Sequence, residues 1–261
     1  MLGDAHPYRL RNARSSDAPA IYALKRQAFG KRYLLYTIYQ APQSVHYLVQ
    51  LIAEAGQGGS HDFIVLEHAE AVNGYYHAAH HGSQYFLNYI AIASERQNLG
   101  LGGMLLQHFE TNGVAKDCQE FALDVFESNS SAIAWYDRHG YSPVASTFQV
   151  RLDMTALTGA GSPLLWDELA WSEALRHEYS RGFSKIDCTC GSGSVTLGLI
   201  AGHTCKLLAY HDVSFDEAIL AAALRLKDQR RVIIVSGLPD LPPGLPILST
   251  ERAIRLSRTI G

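Results

Sequence analysis

Three glycines, Gly100, Gly102 and Gly103, stand within four residues, shortly after the apolar run FLNYIAI at 86–92. Glycine costs a helix about 1 kcal/mol relative to alanine, so three of them at the start of a helical pattern need a reason. A strand that leads through a glycine loop into a helix exposes backbone N–H groups without intrahelical acceptors. Such groups bind anions, and glycine lets a phosphate approach closely. The alternative is that the glycines only permit tight packing of the helix on a sheet.

Two common phosphate motifs do not match this stretch. A Walker loop places Gly-Lys-Ser/Thr after a four-residue gap, and no lysine follows Gly100 or Gly102. A dinucleotide fingerprint needs glycine at the sixth position counted from Gly100, where Leu105 stands. The loop therefore predicts an anion site of another type at residues 97–103.

A second set of residues with chemical potential stands in NSSAIAWYDRHG at 129–140. Asn129, Ala132 and Tyr136 are spaced i, i+3 and i+7, so a helix places them on one face. On that face, the amide of Asn129, the small side chain of Ala132, which leaves room for a ligand, and the phenol of Tyr136 lie in one row. Two ordinary roles stay open, because asparagine frequently caps a helix and tyrosine is often a core aromatic.

These residues must be positioned by a sheet with helices packed on it. Apolar periodicity and turn signals predict the order β-α-α-β-β-β-α-β-α-β in the first part of the chain. That order predicts an α/β fold of the α+β type, with a mixed, mostly antiparallel central sheet flanked by helices. The glycine loop then joins the strand at 84–92 to the helix that follows it.

Length and composition limit the domains and the partners. The 261 residues, 47% hydrophobic and 18% charged, suffice for two domains. The small-residue stretch at 153–164 predicts the boundary, which gives domains 1–150 and 151–261, the second a smaller α/β domain. A net charge of −3 without a basic run argues against nucleic acid as a partner. No run reaches the ~20 apolar residues that span a bilayer, and residues 1–17 lack a signal-peptide core, so we expect no membrane partner and a cytoplasmic location.

The four cysteines favour packing over metal binding. Cys188 and Cys190 share one face of a strand by alternation, whereas zinc sites usually pair cysteines two or more residues apart. Cys118 lies in a loop, and Cys205 has no partner at metal-site spacing. We therefore predict small core residues and no metal.

The glycine stretch resembles the Q/R-x-x-G-x-G/A signature of the GCN5-related N-acetyltransferases (GNAT), as Gln97-Asn98-Leu99-Gly100-Leu101-Gly102. The later sequence LDVFESNSSAIAWYDRHGYSPV resembles that family's V-x-x-x-N-x-x-A-x-x-x-Y-x-x-x-G-F/Y pattern. The opening YRLRNARSSDAPAIYAL is similar to its first strand and helix. The resemblance covers residues 8 to about 148, and two motifs in the correct order make it specific.

The resemblance implies the GNAT fold and acetyl-CoA as cosubstrate. It implies that backbone from Gln97 to Gly103 holds the pyrophosphate and that the pantetheine arm pairs with the preceding strand, as an added strand would. It also implies that Tyr136 protonates the departing thiolate, a role that suits a phenol. The implied cofactor-binding residues are Ile90, Ala91, Ile92, Gln97, Asn98, Leu99, Gly100, Leu101, Gly102, Gly103, Asn129, Ala132 and Tyr136.

The group that accepts the proton of the acceptor amine is less evident. The family's usual carboxylate on the central strand has no clear counterpart, because Asn88 occupies that position. Glu127 follows the next strand and can act through water, so we predict Tyr136 and Glu127 as the catalytic residues. The histidines of HAAHH at 77–81 are alternatives, since imidazole titrates near neutral pH, but that cluster is more typical of a solvated strand end.

Residues 151–261 look like the trailing half of a degenerate second copy, with a structural, substrate-selecting or dimer-forming role. The family's acceptors include small amines, peptide N-termini and lysines, and the fold alone does not choose among them. Our first hypothesis is acetyl transfer to an amine by direct attack in a ternary complex, since no cysteine suits a covalent intermediate. The alternatives are a non-catalytic acyl-CoA-binding sensor or scaffold, and an enzyme with a hydroxyl acceptor or a longer acyl chain.

Overall fold

The computed structural model describes residues 7–159, 162–237 and 244–259. The chain divides into two compact units. The first consists of the described residues within 1–32, 48–146 and 254–261, and the second of those within 33–47 and 147–253. The predicted boundary stretch includes residues 160 and 161, which lie outside the described residues.

The first unit contains a sheet with the strand order β1-β2-β3-β4-β5, followed by the second half of β12 (Ile247–Thr259). The first four strands are antiparallel, and β5 runs parallel to β4. This mixed, mostly antiparallel sheet confirms the predicted fold class. The strands are β1 (Arg9–Asn12), β2 (His61–His68), β3 (Ala71–His81), β4 (Gln84–Ile92) and β5 (Glu120–Phe126).

The helices follow the predicted order in the chain. They are α1 (Ala18–Leu34), α2 (Ser44–Ala55), α3 (Leu101–Val114) and α4 (Ser130–Asp137). One face of the sheet forms a core with α3 and α4 through Tyr76, Leu87, Leu105 and Phe109. This packing fixes where α3 begins, and therefore where the glycine loop lies.

The second unit repeats the topology of the first. Its strand order is β6-β11-β10-β9-β8-β7, with β8, β9 and β10 antiparallel and β11 parallel to β10. Three antiparallel strands, a helix and a parallel strand thus follow one another as in β2-β3-β4-α3-β5. The elements are β6 (Ser142–Asp153), β7 (Leu164–Leu165), α5 (Glu168–Arg181), β8 (Phe183–Cys190), β9 (Gly193–Ile200), β10 (Thr204–His211), α6 (Phe215–Leu226), β11 (Val232–Gly237) and β12 (Ile247–Thr259).

The cysteines of the second unit pack as predicted. Cys188 and Cys190 alternate along β8, and both are buried with Cys205 in the core of this unit as free thiols. The last described element is one strand of 13 residues, Ile247–Thr259. Within the part of the chain that the structure describes, no helix combines the length and apolar character needed to cross a membrane.

Candidate active site

An opening between β4 and β5 is the first feature of the candidate site. The two strands pair from Gln84 with Glu120 to Leu87 with Leu123, and the pairing stops there. From Tyr89 to Ile92, β4 remains paired with β3 along its other edge. Beyond Leu87, the backbone groups of β4 that point toward β5 have no partner in that strand and can pair with an extended ligand, as at other open sheet edges. The carbonyl of Ile92 also accepts a 3.3 Å hydrogen bond from Gln97 Nε2.

A β-bulge marks the point where this opening begins. His77 pairs with Tyr89 and Ala78 pairs with Leu87, so Asn88 is the extra residue on β4. Bulges bend a strand and redirect its side chains, and they are frequent beside active sites. The bulge thus places Asn88 and Tyr89 at the inner end of the open edge.

The glycine loop lies at the outer end of β4. A single 3-10 turn at Ser94–Arg96 leads to Asn98 and Gly100, both with positive φ angles, of 62° and 78°. α3 begins at Leu101, and its N-cap residue Gly100 provides no side-chain cap. Among the described residues, none accepts a hydrogen bond from the backbone amides of Asn98 to Gly103. A helix N-terminus of this kind favours an anion.

The glycines of α3 differ in what surrounds them. A Cβ added to Gly102 would lie 3.4 Å from Trp135, in ordinary contact, and one added to Gly103 would lie 4.0 Å from His139. A Cβ added to Gly113 would collide with Phe121 and lie 2.8 Å from Tyr85. Close packing therefore explains Gly113 but not Gly102 or Gly103.

Helix α4 carries the second predicted motif. Asn129 caps this helix, and its Oδ1 accepts a hydrogen bond of 3.2 Å from the amide of Ala132. Tyr136 is 6% exposed and packs edge-on against Trp135 and Tyr141. Burial raises the pKa of its phenol, which keeps the hydroxyl protonated at neutral pH. Asn129 therefore has the ordinary role of a helix cap, and Tyr136 that of a core aromatic. Neither role prevents the residue from also contacting a cofactor.

The groups considered as proton acceptors lie in different surroundings. Glu127 is exposed in the turn after β5. His81 is exposed at the end of β3, whereas His77 is 4% exposed and stacks on Phe63 with ring centroids 4.0 Å apart. The interpretation of HAAHH as a solvated strand end is therefore wrong for His77, because the β3 register turns this side chain into the unit.

Sequence reasoning missed a buried lysine beside the bulge. Lys25 of α1 is 0% exposed, and its Nζ lies 3.4 Å from the ring centroid of Tyr89. Burial lowers its pKa well below the usual lysine value. The available signal was its position one turn after Ile21 and next to Leu24, on the apolar side of the helix.

The equivalent helix of the second unit begins differently. Ser214 caps α6 through its Oγ, which accepts a 3.2 Å hydrogen bond from the amide of Glu217. Asp216 and Glu217 fill the first turn. A side-chain cap and two carboxylates satisfy and neutralise this helix end, so it disfavours an anion.

Solved structures share this two-unit architecture. A tandem GNAT protein from the clavulanic acid biosynthesis pathway has a TM-score of 0.67 at 13% identity, covering 98% of this chain and 99% of that protein. An acetyltransferase-like protein from Pyrococcus horikoshii has a TM-score of 0.65 at 14% identity, with coverages of 97% and 90%. A GCN5-related N-acetyltransferase from Kribbella flavida has a TM-score of 0.60 at 13% identity, with coverages of 97% and 71%. At these identities the similarity shows the fold alone, and this fold is shared with the tandem GNAT protein over nearly the whole of both chains.

A family model matches part of the sequence. Residues 20–141 match the model of the acetyltransferase (GNAT) family. No curated protein sequence matches the chain.

Proposed function

We propose that this protein transfers an acetyl group from acetyl-CoA to a primary amine by direct attack within a ternary complex. The observation that carries the proposal is the continuity of two features of the first unit. The open edge of β4 from Asn88 to Ile92 leads directly into the glycine loop with its free amides. An extended arm with a diphosphate at one end matches both features.

The proposed cofactor contacts follow from this geometry. Backbone from Gln97 to Gly103 binds the diphosphate, and Gly102 and Gly103 leave it room. Ile90 and Ile92 pair with the pantetheine arm through their backbone, and Ala91 lies between them with its backbone directed to β3. Asn129, Ala132 and Tyr136, on one face of α4, contact the arm from its other side. A backbone amide of β4, near Ile92 or at the bulge at Asn88, polarises the thioester carbonyl as oxyanion-hole donors do.

Two side chains carry proton transfer in this proposal. The phenol of Tyr136 gives its proton to the departing thiolate, and the raised pKa of Tyr136 keeps that proton in place at neutral pH. Glu127, exposed in the turn after β5, accepts the proton of the amine through water. The acceptor is a small amine, a peptide N-terminus or a lysine, in keeping with an active site open at a sheet edge.

One observation favours a second candidate, a non-catalytic acyl-CoA-binding module. The bulge position on β4 holds Asn88, an amide, where a carboxylate would provide a base. A module of this kind binds acetyl-CoA with the same loop but transfers nothing.

Binding and turnover separate the two candidates. Isothermal titration with acetyl-CoA measures affinity, and thermal unfolding measures the stabilisation that ligand occupancy brings. Release of the CoA thiol is then followed with L-lysine, L-glutamate, spermidine and an alanyl peptide as amines. Binding with turnover of one amine supports the transferase, and binding without turnover supports the module. Absence of binding contradicts both.

A further inference from the structure

Two histidines on neighbouring strands of the first unit are joined by a hydrogen bond. His77 Nε2 of β3 lies 3.1 Å from His61 Nδ1 at the start of β2. Their strands pair so that Phe63 faces His77, and His61 faces Ala79. His77 is buried, whereas His61 is half-buried at the end of its strand. The pair therefore runs from the interior of the sheet toward the surface.

The ring of His77 is held in a fixed plane. It stacks on Phe63 at an interplanar angle of 9° and on Tyr89 at 18°. Its second nitrogen, Nδ1, is buried and has no hydrogen-bond partner among the described residues. Buried polar nitrogens are almost always paired, so one left open in a rigid ring needs an explanation. A proton taken up during a reaction supplies one.

The position of His77 links it to the open edge. Its partner across the ladder is Tyr89, the residue that follows the bulge at Asn88. Paired Cα atoms in antiparallel strands are about 4.5–5.5 Å apart, so His77 flanks the first residues of β4 that have no β5 partner. In the proposed function, this stretch of β4 is where the thioester lies.

We propose that His77 Nδ1 is the base that accepts the proton of the acceptor amine, and that His61 positions it. This role requires that His77 Nε2–H donates to His61 Nδ1, which corresponds to the His77 tautomer with an unprotonated Nδ1. This inference rests on the proposed acetyl transfer and replaces Glu127 in the role of proton acceptor.

The step balances. The amine nitrogen attacks the thioester carbon, the C–N bond forms, and the C–S bond breaks. The amine proton goes to His77 Nδ1, and the thiolate takes the hydroxyl proton of Tyr136. After the products leave, the imidazolium returns its Nδ1 proton to water and the phenolate regains one from water. No oxidant, metal or covalent intermediate enters the balance.

The surroundings of the pair keep it neutral. Tyr89 from β4 and His61 from β2 contact the His77 ring, and the charge of Lys25 from α1 acts on it. Burial lowers the pKa of His77 well below the usual histidine value, and the charges of Lys25 and His61 lower it further. The pKa of His61 is also lowered, first by burial and then by His81, against the opposing effects of the Ala78 backbone, Glu54 and Asp62. A neutral imidazole at pH 7 is the form that accepts a proton.

The test is the pH dependence of kcat with the best amine of the panel, using His77→Gln, His61→Gln, Glu127→Gln and the exposed control His211→Gln. For the wild type, we expect kcat to fall as the pH is lowered below 6.5, which gives the pH profile an acid limb. His77→Gln should lose 100-fold or more in kcat and also the acid limb, with acetyl-CoA affinity within twofold. His61→Gln should lose about tenfold in kcat and shift the acid limb, because the tautomer of His77 is no longer selected. His211→Gln should match the wild type.

The contrary results are distinct. If His77→Gln keeps the acid limb, or if Glu127→Gln alone removes it, His77 is not the base. Should His77→Gln fail to fold, His61→Gln decides, and an unchanged profile in that variant overturns the inference. A wild type that binds acetyl-CoA and turns over no amine contradicts the proposed function itself. If the wild type turns over an amine and the histidine variants keep its kcat and its pH profile, only the assignment of His77 as the base is contradicted.

Discussion

Replacement of Gly102 by leucine separates the role of this glycine in ligand binding from any role in packing. The added side chain starts 3.4 Å from Trp135, a distance that needs no rearrangement of the helix or the sheet. Leucine also favours the helix over glycine by about 0.8 kcal/mol. Gly102→Leu should therefore fold as stably as the wild type, or slightly more so.

Acetyl-CoA affinity should change in the opposite direction. The side chain occupies the space beside the free amides of the first turn, and loss of one hydrogen bond to a charged group costs about 1.5–3 kcal/mol. That cost corresponds to a Kd increase of roughly 10- to 150-fold. We expect this loss without any change in the unfolding transition.

Gly113→Ala, in the same helix, is the matched control. Its Cβ meets Phe121 and lies 2.8 Å from Tyr85, so overpacking should destabilise the fold by about 1–3 kcal/mol. Affinity of the folded fraction should be retained. Urea denaturation measures stability, and isothermal titration measures Kd. If Gly102→Leu destabilised the protein and kept its affinity, the glycine would be a packing residue and the reasoning would be refuted.

Three further predictions concern single side chains. Tyr136→Phe should lower kcat about 100-fold and leave the acetyl-CoA Kd unchanged, since only proton donation is lost; equal losses in both would contradict the role. Lys25→Met should raise stability at pH 7, because the unfolded state binds one more proton than the folded state between the lowered pKa of Lys25 and about 10.5. In the wild type, the free energy of unfolding should accordingly rise with pH through that window by about 1.4 kcal/mol per pH unit. If the same slope persists in Lys25→Met, Lys25 is not its cause. In the second unit, Arg230 pairs with Glu178 through two hydrogen bonds of 2.5 and 2.6 Å, so Arg230→Ala should cost about 3–5 kcal/mol in urea denaturation, whereas Glu178→Leu combined with Arg230→Met should recover most of it.

The order of elements in the first unit was predictable because each element carries its own local signal. The turn at 69–70 and the helix pattern after Gly100 depend on residues close in sequence. The capping roles of Asn129 and Ser214 were predictable for the same reason, since a cap needs only the three residues that follow.

The bulge and its histidine pair were not predictable from these patterns. The pairing of His77 with Tyr89 depends on the register of β3 and β4 along their whole length. Period-2 alternation along HAAHH puts His77 and His81 on the same face of β3. It does not show that Phe63 packs on His77 and buries it while His81 stays exposed. Burial of Lys25 also depends on the face of α1 that meets the sheet, and a lysine on an apolar face is commonly read as snorkelling.

A crystal structure of the protein with CoA tests the central claim most directly. We predict the diphosphate at the start of α3, within hydrogen-bond distance of backbone amides between Asn98 and Gly103, and the pantetheine arm along β4 from Asn88 to Ile92. CoA bound elsewhere, or those amides bonded to protein acceptors with the ligand present, would contradict the account.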